Sequence, residues 1–242
     1  MDNMSFHMNS LRMNISPAVH GHLINVYQTL AAMLGWAAVG SVVHSSSVIP
    51  GLSGGILSFI ACLLCLVAFM MTTPTQENAQ LRSTTLFALA FFKGLTIGPL
   101  IDAVSRVNPN TVWVAISATA VIFVCFTLSV LYSPRRQVFL TMGVLSSILG
   151  TLGWVSLINF FVRSPALFSM ELYLGLVGFL VFVVYDTQVI IQKAENGSKD
   201  YQTHSLELFT DAVGIFVRIL SILNKRQADR DNDDRRRRNK NR

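Results

Sequence analysis

Seven apolar stretches of roughly twenty residues run through this chain at residues 24–43, 55–72, 84–104, 111–132, 138–161, 166–191 and 203–223. A stretch of that length crosses the hydrocarbon of a bilayer as an α-helix, in which every backbone polar group is satisfied internally. The connections between them are short, so one helical bundle is expected. Only 13% of the residues are charged and 52% are hydrophobic, against about a quarter charged in soluble domains. The expected class is therefore an all-α, multispanning membrane protein. Its divisions are a polar N-terminal segment at 1–23, a single transmembrane bundle at 24–223, and a basic tail at 224–242 that composition predicts to be without structure.

Two carboxylates break the apolar pattern. Asp186 lies inside the sixth stretch and Asp211 inside the seventh, where burial of a charge is costly and points to function. Between them, Asn196-Gly197 predicts the end of one helix and Asp200 the N-cap of the next. Asp186 precedes Asn196 by ten residues and Asp211 follows Asp200 by eleven. An antiparallel hairpin folded at that turn puts both carboxyl groups about 15 Å from it, level with one another.

On a helix, His204, Glu207, Asp211 and Arg218 fall within about 60° of each other. The last stretch thus carries one polar stripe, expected to face the bundle interior rather than lipid; a helix lying on the membrane surface is the alternative. Two carboxylates close together at reduced dielectric do not both ionise cheaply, so they titrate as a unit and share a proton. Protonated, they hold two helices together; without the proton they repel or recruit a cation. A static pair that simply locks the hairpin is the competing reading.

Other polar residues are less telling. Glu171 precedes Asp186 by fifteen residues, about 22 Å along the same helix, and marks a candidate mouth at its far end. Lys93 is either a counterion for the acids or a snorkelling side chain. Gly94-x-x-x-Gly98 followed by Pro99 predicts close helix approach with a kink. Cys62 and Cys65, like Cys125, read as packing residues. Gly51-Leu52-Ser53-Gly54 matches a string used by intramembrane serine proteases, but no partner base accompanies it, and a turn is the preferred reading.

Charge bears on orientation. With the N-terminus in the cytosol, the cytosolic connections carry Arg82, Arg135, Arg136, Lys193 and Lys199, and the other side only Arg106 and Arg163. That favours a cytosolic N-terminus. Seven full crossings then send the tail, nine basic residues against four acidic in 225–242, to the opposite side. Either the last stretch dips in and returns, or it crosses and the tail translocates. Of the sequons at Asn3, Asn14 and Asn196, none is expected to be glycosylated in this orientation. The tail suits anionic lipid headgroups; nucleic acid is excluded as a partner for a multispanning chain.

Tyr185-Asp186-Thr187-Gln188, Ile191 to Gly197, Asp200-Tyr201, His204 and Glu207-Leu208-Phe209-Thr210-Asp211 together resemble the signature of the Bax inhibitor-one family, in its eukaryotic endoplasmic-reticulum form. Gly98-Pro99, Val107-Asn108-Pro109, residues 123–131 and Leu172 to Gly175 extend the resemblance from about residue 20 to the tail. It implies six helices surrounding a central seventh, and a multi-pass protein of the endoplasmic reticulum membrane that suppresses programmed cell death and lowers lumenal calcium through a pH-sensitive leak. It assigns Asp186 and Asp211 to the proton-sensitive latch. Some bacterial relatives pair that dyad with a basic residue of the second span; residues 55–72 contain no Lys or Arg, which leaves Lys93 as the substitute.

The resulting expectation is a non-enzymatic leak channel or exchanger for calcium, gated by Asp186 and Asp211, with Glu207 beside them and Glu171 near the lumenal entrance. His204, Arg218 and Lys93 are auxiliary candidates. No cofactor is expected; calcium is the transported ion and is expected to pass near Asp186 and Asp211. The alternative is a regulator without transport, binding membrane proteins of cell death, stress sensing or calcium release through its loops and tail.

Overall fold

The computed structural model describes residues 17–46, 55–132 and 138–240. The sequons at Asn3 and Asn14, the Gly51 to Gly54 string and Arg135-Arg136 lie outside the described residues. Seven helices follow one another: α1 Pro17–Ser45, α2 Ile56–Met71, α3 Ala79–Val107, α4 Pro109–Leu131, α5 Val138–Val162, α6 Pro165–Glu195 and α7 Tyr201–Lys240. Each of the seven apolar stretches is the centre of one helix. Five of them, α1 and α3 to α6, are long and apolar enough to cross a bilayer, while α2, with 16 residues, is a shorter apolar helix.

Local chemistry sets the boundaries. Asn108 ends α3 and begins α4, its side chain accepting a hydrogen bond from the Asn110 backbone N–H at 3.0 Å, with Pro109 at the first helical position. Pro99 sits inside α3 without ending it. After α6, Gly197 adopts φ 88°, its N–H bonds to the Ala194 carbonyl at 3.1 Å and the Ser198 N–H to that of Lys193 at 2.9 Å. That pair of bonds is a Schellman stop, which needs the left-handed conformation glycine tolerates. Asp200 then caps α7, accepting from the Thr203 N–H at 3.2 Å and the Thr203 hydroxyl at 2.7 Å.

α7 runs through the middle of the bundle. It packs directly on α1, α3, α4 and α6; the backbones of α2 and α5 approach only α3 and α6 respectively. Thus four of the other helices, rather than six, wall the last one. Its apolar side contributes Leu208, Phe209, Ile215 and Leu220 to the core. The α1–α3 contact depends on missing side chains: a Cβ on Gly94 collides with the Ala37 carbonyl, and one on Gly40 with that of Phe91. Gly98 likewise admits the His44 ring, so the small-residue motif serves close approach.

The last helix passes from one end of the bundle to the other and does not return. Near its start, His204 meets His22 of α1; near residue 227, Gln227 accepts from Thr111 at the start of α4 at 3.2 Å, and Lys225 donates to the Pro165 carbonyl at the start of α6 at 3.1 Å. The tail therefore leaves from the end opposite Asp200. It also continues as helix to Lys240, where composition alone predicts no structure. No Gly or Pro follows Gly214, and Asp231/Arg235 and Asp233/Arg237 stand at the i, i+4 spacing that supports an isolated helix.

Candidate functional site

The polar stripe of α7 forms a ladder of side chains that meets different helices at successive levels. At the top, Arg82 of α3 is buried, with a side-chain exposure of 4%. It donates to both carboxylate oxygens of Asp200 at 3.0 Å, to Gln202 Oε1 at 3.0 Å and to the Thr203 hydroxyl at 3.0 Å. A further bond goes to the Thr72 carbonyl at the end of α2, and the guanidinium lies 4.3 Å from the centre of the Phe69 ring. Gln202 returns two bonds to α3, to the Ala79 carbonyl at 3.0 Å and the Ser83 hydroxyl at 2.8 Å. The buried charge is thereby fully answered.

One turn down, the rings of His204 and His22 approach at 2.9 Å between nitrogens, with His204 buried. Next, Glu207 meets Lys193 of α6 at 3.6 Å. One further turn brings Asp211 beside Asp186, their side chains within hydrogen-bonding reach across the α6–α7 interface. Asp211 is 3% exposed and Asp186 half-buried. Glu207 and Lys193 both act electrostatically on Asp186, so three acids and one base share the level.

Satisfaction falls along this ladder. Asp211 Oδ2 and Glu207 Oε2 are buried without a hydrogen-bond donor among the described residues. Thr187, next to Asp186, is fully buried, and its hydroxyl shares a patch with those of Tyr27 and Thr127, where none of the three meets the geometry of a hydrogen bond among the described residues. Buried acceptors without donors are unfavourable. Two facing carboxyl groups have no donor between them unless one carries a proton, and a cation is the other agent that relieves the same repulsion.

The remaining candidates lie elsewhere. Glu171 accepts from Ser156 at 2.8 Å and from Asn159 Nδ2 at 3.2 Å, both on α5. Arg218, two turns beyond Asp211, lies across Gly175 of α6 and does not reach the acids' level. Lys93 forms no ion pair among the described residues and stands within electrostatic reach of Cys62; the basic group beside the acids is Lys193. Its signal was present in the sequence, since Asp186 and Lys193 are seven residues apart, two turns on one helical face. His22 and the burial of Arg82 had no comparable signal.

A multispanning helical bundle whose central helix carries acids, one of them beside an acid of the neighbouring helix, defines the class of protein. Within that class, residues 19–228 match the family model described as "Inhibitor of apoptosis-promoting Bax1". The chain is 42% identical over 210 residues to a probable Bax inhibitor 1 of Paralichthys olivaceus, covering 86% of this chain and 87% of that one. It is 41% identical over 226 residues to Bax inhibitor 1 of Arabidopsis thaliana (93% and 89%) and 38% identical over 217 residues to that of Homo sapiens (90% and 91%). The chain belongs to the Bax inhibitor 1 family.

Proposed function

We propose that the protein suppresses programmed cell death as a non-enzymatic, pH-sensitive leak channel or exchanger for calcium in the endoplasmic reticulum membrane, with its N-terminus in the cytosol. The observation that carries the reading is the meeting of Asp186 and Asp211 from two helices, with Asp211 Oδ2 lacking a donor among the described residues. A proton held by the pair joins α6 to α7. Its loss sets two negative charges against each other and favours either separation of the helices or entry of a cation, whose oxygen ligands the acids supply.

Glu207 then extends the acidic level toward Lys193, which holds it in place in the proton-loaded state. Glu171, anchored to α5, stands fifteen residues before Asp186 on α6 and serves as an acidic residue at the lumenal mouth. The cell-death role draws on the relatives' names. The test is to reconstitute the purified full chain in vesicles and follow calcium entry: flux above protein-free vesicles is expected, and its absence removes the transport reading.

One observation favours a second reading, in which the protein recruits cell-death, stress-sensor or calcium-channel proteins. Beyond Gln227 the α7 helix is exposed and basic, a ready surface for anionic lipid headgroups or an acidic partner. Deleting residues 225–242 separates the two. Loss of cell protection with intact vesicle flux assigns protection to the tail.

A further inference from the structure

A cavity of about 410 Å³ opens beside the central helix. Its walls are α1 and α4, its floor α3 and α7. No Cα of α1 comes within 8 Å of one of α4, so the two walls do not close on each other. The lips carry small side chains, Ala31 and Ala38 on α1 and Ala120 on α4, all exposed at the bundle surface. Beside them Leu34, Ile116 and Val124 are 40%, 44% and 52% exposed. In a helix bundle spanning a bilayer, that outer surface is bathed in hydrocarbon.

The interior makes almost no polar demand. The hydroxyls of Ser41 and Thr119 are tied back to their own helices, to the carbonyls of Ala38 and Ala115 at 2.8 and 2.7 Å, and that of Tyr27 is buried away from the slot beside Thr127 and Thr187. The floor offers Gly94, Ile97, Ala212, Val213 and Phe216. Along α1 the lining recurs at Tyr27, Ala31, Leu34, Ala38 and Ser41, one helical face about 21 Å long. An elongated slot with an apolar lining suits a polymethylene chain.

We propose that this slot is a binding site for one acyl tail of a bilayer phospholipid, which enters sideways between α1 and α4 and lies on α7 against Ala212 and Val213. Hydrocarbon is the medium on which the mouth opens, and an apolar cavity in contact with it fills without polar desolvation. The tail then abuts the residue next to Asp211, on the helix that carries the acids. α7 also packs on α1, α3, α4 and α6, and the slot between α1 and α4 brings the tail directly onto it.

The experiment uses the full chain in phosphatidylcholine vesicles doped with phosphatidylcholine bearing a diazirine in its acyl tail. After irradiation, adducts are mapped by mass spectrometry. Adducts are expected on Ala212, Val213 or Phe216, in addition to outward residues such as Trp154 and Phe160 of α5. Plugging the slot with Ala120→Trp is expected to lower the α7 adducts by about fivefold or more while leaving those of α5 unchanged. Should that variant fail to elute as a folded species, Ala120→Leu is read in the same way. Background labelling of α7, equal labelling in the plugged protein, or labelling of the floor by a diazirine sterol in place of the phospholipid overturns the proposal.

Discussion

Arg82 of α3 donates to both carboxylate oxygens of Asp200 at 3.0 Å, and that carboxylate is also the N-cap of the helix bearing the acidic ladder. The two members are unequally exposed, Arg82 at 4% and Asp200 at 24%. Removing Asp200 leaves a buried guanidinium without its counter-charge, whereas removing Arg82 leaves a carboxylate that keeps Thr203 and partial access to solvent. Asp200→Ala is therefore expected to destabilise by about 3 kcal/mol, and Arg82→Met by about 1–2 kcal/mol. Thermal unfolding in detergent micelles checks the order; a larger effect for Arg82→Met contradicts it.

Gly197 holds φ 88° at the turn that aligns the acids. Gly197→Ala is expected to cost about 1 kcal/mol through the left-handed backbone, while Ser198→Ala leaves the Schellman bonds intact and changes little. Unfolding midpoints of the two variants supply the comparison, and equal midpoints argue against the assigned strain.

Gly94 faces the Ala37 carbonyl with no room for a side chain. Gly94→Ala must push α1 from α3 and is expected to destabilise by about 1–3 kcal/mol, as overpacking does. Gly143, with open space around it, is the control: its alanine variant is expected to be neutral or slightly stabilising through helix propensity. A tolerant Gly94 in the same thermal assay contradicts the packing account.

Asn196 and the end of α7 lie at opposite ends of the bundle. A glycosylation acceptor appended after Arg242 and the native Asn196-Gly197-Ser198 sequon are thus expected to respond oppositely in microsomes, one modified and the other not. With a cytosolic N-terminus the appended site is the modified one. Modification of both or protection of both contradicts a complete passage of α7.

Much of this arrangement was legible in the residues. Apolar length marked all seven helices, because a bilayer demands a continuous run that no soluble fold requires. The Asn196-Gly197 stop and Asp200 cap are local signals, and counting outward from them brought Asp186 level with Asp211. What escaped depends on how helices rotate about their axes in the bundle. Arg82 read as a loop charge but is buried against the end of α2 and the start of α7, and Lys193 rather than Lys93 stands beside the acids. The helical tail escaped for another reason: its composition reports the lack of a core, while its i, i+4 charges and freedom from Gly and Pro sustain a helix without one.

The central claim is that a proton shared by Asp186 and Asp211 sets the state of the α6–α7 contact and hence calcium passage. Asparagine donates a hydrogen bond at any pH, so Asp211→Asn imitates the protonated pair. The direct measurement is calcium flux across reconstituted vesicles, followed from acid to alkaline pH for the natural protein and this variant. The account predicts a pH-dependent natural protein and a variant held throughout at the natural protein's acid-end rate. A variant that follows the same pH curve as the natural protein contradicts it.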